Sequence, residues 1–172
     1  MADEPDRIPV VGIWYRHVLA GGDPLRLAAG DARGRWQRSP VVGALYLADT
    51  PDTAWAEFYR AAAELEVPPG KLLPRDLWRY QVSLDAVADL SSNQALAAVR
   101  LSPPLPDSGD WPSFQAVGEH LALGGAQGVL WRSAARPANL CVCVFAVAVS
   151  TLTPLDRERI DTPPAPPRGM RT

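Results

Sequence analysis

Residues 140–149 read Leu-Cys-Val-Cys-Val-Phe-Ala-Val-Ala-Val, a run of ten without a single charge. It falls far short of the ~20 residues needed to cross a bilayer. It also lacks the alternation of a strand with one face in water. With Asn139 it predicts a central strand over 139–149 covered on both faces, so the rest of the chain has to supply two apolar layers around it. The 172 residues, 47% hydrophobic and 21% charged, suffice for one such core and are too few for two comfortable domains.

Further strands are predicted at 10–16, 41–48, 78–84 and 129–131, each rich in β-branched and aromatic residues. The strongest helix signal follows 41–48. Thr50 can cap it, Pro51 suits its first position and Asp52 opposes the helix dipole. Ala54, Phe58, Ala61, Ala62 and Leu65 recur at helical spacing as its buried stripe. Glu57 lies on the flank of that stripe, roughly 90° from its centre. Pro68-Pro69-Gly70 stops the helix. Shorter helices are expected at 93–100 and at 113–123, where Phe114, Val117 and Leu121 share a face before Gly124-Gly125. Residues 21–39 read as a long loop with one helical turn, and 102–112, with four prolines, as a loop. Strands dominate without regular βα alternation, which favours an α+β class over a doubly wound sheet. The expected organisation is a flexible arm at 1–8, one domain at 9–160 and a Pro-rich, disordered tail at 161–172.

The formal net charge of −2 offers no global attraction to nucleic acid phosphate. Lys71 is the only lysine, so local anion recognition falls to arginine and its planar fork of donors. The acidic start has no signal-peptide core, and the two cysteines, Cys141 and Cys143, suit buried free thiols in a reducing compartment. A cytoplasmic protein without membrane or direct nucleic-acid contact is expected. His17 and His120 are too few and too unsupported for a metal site, and no dinucleotide fingerprint, phosphate loop or nucleophile elbow is present. Composition and spacing alone stop at an α+β domain.

Four strings carry more. They are Trp14-Tyr15-Arg16-His17; Gly34-Arg35-Trp36; Ala44-Leu45-Tyr46-Leu47-Ala48 followed by Thr53-Ala54-Trp55-Ala56-Glu57; and Val129-Leu130-Trp131-Arg132-Ser133. In this order, over roughly residues 13–149, they resemble the RES-domain family, named for an arginine, a glutamate and a serine. One departure is visible: Gln37 follows Trp36 where the family often has Asn. The resemblance implies a fold like that of ADP-ribosyltransferases, a split β core with flanking helices clamping NAD in a cleft. It further implies a toxin that cleaves NAD at the nicotinamide–ribose bond, by phosphorolysis or hydrolysis, and an Xre-type helix-turn-helix antitoxin that blocks the cleft. NAD is then a substrate, inorganic phosphate a co-substrate, and no tightly bound cofactor or metal is implied. The catalytic set falls on Arg16, Tyr46, Glu57 and Ser133, and the NAD-binding set on Arg16, Arg35, Trp36, Tyr46 and Ser133.

These residue types suit the reaction. Breaking the N-glycosidic bond builds positive charge on the ribose, which a carboxylate such as Glu57 can stabilise. Arg16 and Arg35 can pair with diphosphate or inorganic phosphate, and Tyr46 can stack on nicotinamide or bond to ribose. Ser133 is a hydroxyl donor, not a covalent nucleophile, because no paired base is evident. Each residue also has an ordinary alternative. Glu57 can simply pair with Arg60 at i,i+3, Arg33, Arg35 and Arg38 can be a solvated loop cluster, and Tyr46, Trp36, Trp55, Trp78 and Trp131 can be core aromatics. Two other functions stay open: a mono-ADP-ribosyltransferase acting on a protein, and a non-catalytic module that binds a nucleotide or a partner.

Overall fold

The computed structural model describes residues 4–27, 33–38 and 41–171. Among them the order is β1 (Arg7–Leu19), β2 (Arg33–Gly34), β3 (Gln37–Arg38), β4 (Ala44–Ala48), α1 (Pro51–Glu64), β5 (Arg75–Leu90), α2 (Asn93–Ala98), α3 (Trp111–Leu123), β6 (Gly128–Arg132), β7 (Leu140–Phe145) and β8 (Thr153–Ile160). Short 3₁₀ turns at Pro69–Leu72 and Ala146–Thr151 complete the set. This is the expected α+β class.

The sheet owes its shape to β5, which is long enough to serve several neighbours. One edge pairs antiparallel with β1 from Arg75↔Leu19 to Ala88↔Arg7. The other edge is shared: β8 takes Arg75 to Gln81, and β6 runs parallel along Val87 to Leu90. β6 pairs with β7, β7 with β4, and β4 returns to β1 through the single registered pair Tyr15↔Ala48. Five strands therefore close a ring, with β8 attached outside it and a weak seam between β1 and β4.

Burial follows the pleat. Val142 and Val144 of β7 join Leu45, Leu47, Leu130, Trp14, Tyr80, Val82 and Leu84 inside the ring. Cys141, Cys143 and Phe145 face the opposite way, with Trp36, Trp131 and the apolar faces of the helices at Ala54, Leu96, Phe114 and Leu121. Side chains on a strand alternate between faces, so a run without polar positions serves both layers. The charge-free run is thus a central strand, but only to Phe145. Beyond it the chain has to turn toward β8 on the far side of β5, and residues 146–151 do so as a 3₁₀ turn, Ala146 N donating to Gly43 O at 2.8 Å.

Other boundaries move for similar reasons. The strand expected at 78–84 grows to Arg75–Leu90 because three partners pair along it. β8 has no counterpart in the sequence reading: its exposed Asp156, Arg157, Glu158 and Arg159 are the charges that protect an edge strand and hide its period. The 21–39 loop holds the β2–β3 hairpin, while 28–32 and 39–40 lie outside the described residues. Residues 4–8 of the expected arm include the start of β1. Residues 161–171 follow β8 as irregular chain, with the Tyr59 hydroxyl donating to Pro164 O and Arg171 N donating to Ala135 O at 2.7 Å. Cys141 and Cys143 are both free and buried.

Candidate active site

α1 starts where the sequence places it. Thr50 Oγ1 accepts from Thr53 N at 3.1 Å, Pro51 opens the first turn, and the helix packs Ala54, Phe58 and Ala62 inward, whereas Leu65, expected in the same stripe, stands exposed at the helix end. Its flank then overhangs the seam between β1 and β4. A cavity of about 380 Å³ opens there, within the ~300–1,000 Å³ usual for ligand pockets. Its walls come from the end of β1, the β2 hairpin, β4, α1, β6 and the start of β5.

Glu57 stands in this wall with both carboxylate oxygens held. Oε1 accepts from Ser133 Oγ at 2.6 Å and from Ala135 N at 3.3 Å, and Oε2 accepts from Arg60 Nε at 2.8 Å. Arg60 is braced in turn by Glu64 Oε2 at 3.1 Å and Pro106 O at 2.9 Å. The carboxylate is fixed, but its side chain keeps 25% exposure toward the cavity. The ordinary pairing with Arg60 is thus present and takes one oxygen, while the other accepts from Ser133 and Ala135.

Ser133 is 1% exposed and lies behind Glu57, outside the cavity lining. Its hydroxyl donates to Glu57 and accepts from Arg136 N at 2.9 Å. Its hydroxyl is thus directed at the Glu57 carboxylate and not at the cavity. Tyr46 lines the cavity with its ring against the edge of Trp131, and its hydroxyl accepts from Trp36 N at 3.0 Å. Burial, reinforced by Cys143, pushes its phenol well above the usual range, so it stays a neutral donor. Trp36 is fully buried between Phe114 and Trp131 and does not line the cavity, so its ring belongs to the core and only its backbone reaches the site, through Tyr46.

Arg16 and Arg35 both line the cavity but differ in state. Arg35 donates to Asp110, Leu105 O and Asp107 O, and its guanidinium lies 5.1 Å from the Phe114 ring centre. It is committed to the 105–110 loop. Arg16 donates to Pro24 O at 3.0 Å and forms no ion pair with a carboxylate among the described residues.

Arg75, which has no sequence signal, and His17, which has none beyond its place in the first string, also line the cavity. The His17 ring sits 4.1 Å from Trp55 and 5.5 Å from Phe58, and neither ring nitrogen has a partner among the described residues. Burial first, and the Arg75 charge second, depress its pKa from 6.5 to about 3. It is therefore a neutral imidazole at physiological pH. Between pH 6.5 and about 3 the unfolded chain holds a proton at His17 that the folded chain lacks, so stability falls as pH drops through that window. The contribution approaches ~1.4 kcal/mol per pH unit. Urea unfolding of His17→Gln at pH 7 and pH 5 is expected to show a smaller acid loss than the parent. Equal losses would mean that His17 does not carry it.

No group of three or more His, Cys, Asp or Glu suited to a metal occurs among the described residues, and none of their helices is long and apolar enough to cross a membrane. The RES domain pattern matches residues 12–164, nearly the whole chain. The chain belongs to the RES domain family. It is 31% identical over 118 residues to the NAD(+) phosphorylase MbcT of Mycobacterium tuberculosis and of Mycobacterium bovis, a match covering 67% of this chain and 61% of each relative. The match therefore spans about three fifths of those relatives' length. Among solved structures, the M. tuberculosis MbcT–MbcA toxin–antitoxin complex superposes with a TM-score of 0.76 at 28% identity, covering 90% of this chain and 86% of the matched one. This RES domain thus shares its architecture with the matched chain of that complex over most of its length.

Proposed function

We propose that this RES domain is a toxin that cleaves NAD at the nicotinamide–ribose bond, with inorganic phosphate as the preferred acceptor. The observation that carries this reading is the Glu57 carboxylate, clamped by Ser133, Ala135 and Arg60 yet facing a cavity walled by arginines. As the C–N bond lengthens, the ribose gains positive charge and nicotinamide leaves neutral. A carboxylate already fixed opposite that carbon stabilises the charge without reorganising. A phosphate oxygen then forms the new bond to the ribose carbon. Arg16 contacts the phosphate-bearing part of the substrate, Tyr46 offers ring face and hydroxyl, and Arg35 shapes the wall. Similarity to the NAD(+) phosphorylase MbcT supports the choice of reaction.

The deciding experiment incubates the purified chain with NAD, with and without inorganic phosphate, and follows free nicotinamide. Release that requires phosphate establishes phosphorolysis, and release without it means hydrolysis. Label transferred from NAD to a protein would replace this reading by mono-ADP-ribosylation. Saturable binding without release would leave a non-catalytic module.

Ser133→Ala is expected to lower kcat roughly tenfold with KM nearly unchanged, since it removes one of the two donors that hold Glu57 Oε1 without touching substrate. Ser133→Thr, which restores the hydroxyl, should recover much of the loss. A rise in KM alone would instead assign Ser133 to substrate contact.

An antitoxin that covers the cavity mouth completes the proposal, in keeping with the MbcT–MbcA complex. Leu65, on the rim and 63% exposed, is an apolar anchor available to such a partner. The cytoplasm, where NAD is held, is the site of action.

A further inference from the structure

Residues 102–110 lie behind Arg35 and Arg60 without a packed interior of their own. Leu105 is 53% exposed, and Asp107, Ser108 and Gly109 are exposed as well. A segment that buries so little apolar surface opens easily unless other contacts hold it. The contacts that hold this one are polar, and they converge on Arg35.

Arg35 sits in the turn between β2 and β3, buried, with its guanidinium beside the Phe114 ring. Both terminal nitrogens donate into the loop: Nη1 to Asp110 Oδ1, and Nη2 to Leu105 O and, at 3.4 Å, to Asp107 O. Asp110 supplies the counter-charge that a buried cation needs, and its second oxygen accepts from Leu105 N at 2.9 Å. One carboxylate thus closes the loop on itself and ties it to the hairpin.

Between the two carbonyls that Arg35 holds stands Pro106, whose own carbonyl accepts from Arg60 Nη1 at 2.9 Å. Arg60 Nε donates in turn to Glu57 Oε2 at 2.8 Å. Glu64 competes for the same Nη1, so without the Pro106 carbonyl the guanidinium is free to turn toward Glu64 and away from Glu57. Directed contacts therefore run from Asp110 to the Glu57 carboxylate, although Asp110 does not line the cavity. We propose that Asp110 is a positioning residue for Glu57, acting through Arg35, the 105–107 backbone and Arg60. Its bearing on turnover rests on the NAD-cleaving reading above, and its hold on Arg60 does not.

Exchange of the Arg60 Nε–H with water, followed by NMR, reads this hold without turnover. In Asp110→Asn, which keeps the shape and removes the charge, exchange is expected to be about tenfold or more faster, the scale of one lost charge-assisted contact. A cooperative urea transition would show that the variant folds. Should it not fold, Arg35→Lys serves instead, because it keeps a cation against Asp110 but drops the fork that spans Leu105 and Asp107. It is expected to loosen the same N–H. Nicotinamide release by Asp110→Asn, or by that substitute, is expected to show kcat reduced about tenfold with KM for NAD within about twofold. Unchanged Arg60 exchange in a folded variant overturns the proposal, and so does faster exchange at wild-type kcat. A raised KM with kcat intact would also overturn it, assigning the loop to substrate contact. Faster Arg60 exchange in a protein whose wild type releases no nicotinamide would keep the hold on Arg60 and remove the NAD-cleaving reading.

Discussion

Glu57→Gln is expected to reduce nicotinamide release from NAD by about a hundredfold or more, the scale on which a preorganised charge opposite a developing one acts. Glutamine keeps the length of the side chain, and its amide oxygen can still accept from Ser133 Oγ and Ala135 N. What it removes is the negative charge facing the cavity. Its amide nitrogen also meets the Arg60 Nε, a donor against a donor, so some repositioning adds to the loss. Arg60 keeps Glu64 and Pro106 O as partners, and the pair with Glu57 is partly exposed. The stability cost should therefore stay near ~1 kcal/mol, and the chain should remain folded. Initial rates at saturating NAD, beside a urea midpoint for the same preparation, separate these effects. Wild-type turnover in the variant would take the carboxylate out of the mechanism.

The second large effect is structural. A Cβ at Gly118 of α3 would stand 2.0 Å from the Trp36 carbonyl oxygen and 2.8 Å from its carbonyl carbon. Both are backbone atoms of the segment between β2 and β3, which cannot swing aside as a side-chain tip can. Gly118→Ala is expected to destabilise by about 3 kcal/mol, the upper part of the range for overpacking. On helix propensity alone the same change should stabilise by ~1 kcal/mol. The sign of the urea-midpoint shift therefore decides whether the close approach of α3 to Trp36 exists. A Trp36 displaced by the new methyl would also release the Tyr46 hydroxyl from Trp36 N.

What could be read in the sequence divides by the range of the interactions involved. α1 is legible because its cap, its proline and its apolar stripe all lie within fifteen or so residues, and the flank position of Glu57 follows from the same arithmetic. β7 is legible because burial on both faces leaves no polar position. β8 and the far half of β5 are not, since pairing partners 41 residues away in β6 and 72 to 85 residues away between β5 and β8 decide them. The site divides in the same way. Glu57, Arg16, Arg35 and Tyr46 do line one cavity, yet only the ordered strings bring them together, because no local pattern links them. That Ser133 serves Glu57 from behind, and that Trp36 contributes backbone rather than ring, are properties of packing. Arg75 carries no pattern, and His17 none beyond its place at the end of the first string: their surroundings, Phe58 and Trp55 above all, reach them only in the folded chain.

The contact between Glu57 and Ser133 bridges 76 residues of chain. During synthesis at ~5–20 residues per second, Glu57 therefore waits about 4 to 15 s before the hydroxyl that orients it has even been polymerised. β4 waits longer still, because its partner strand β7 comes after Ser133. The proposed toxin is thus born without a working site: α1 can form early, but its carboxylate is aimed only when nearly the whole domain has left the ribosome. On the proposed reading, a nascent chain stalled or cut before β7 lacks the site, and the finished chain gains its activity in one late step, the one at which the proposed antitoxin has to be present.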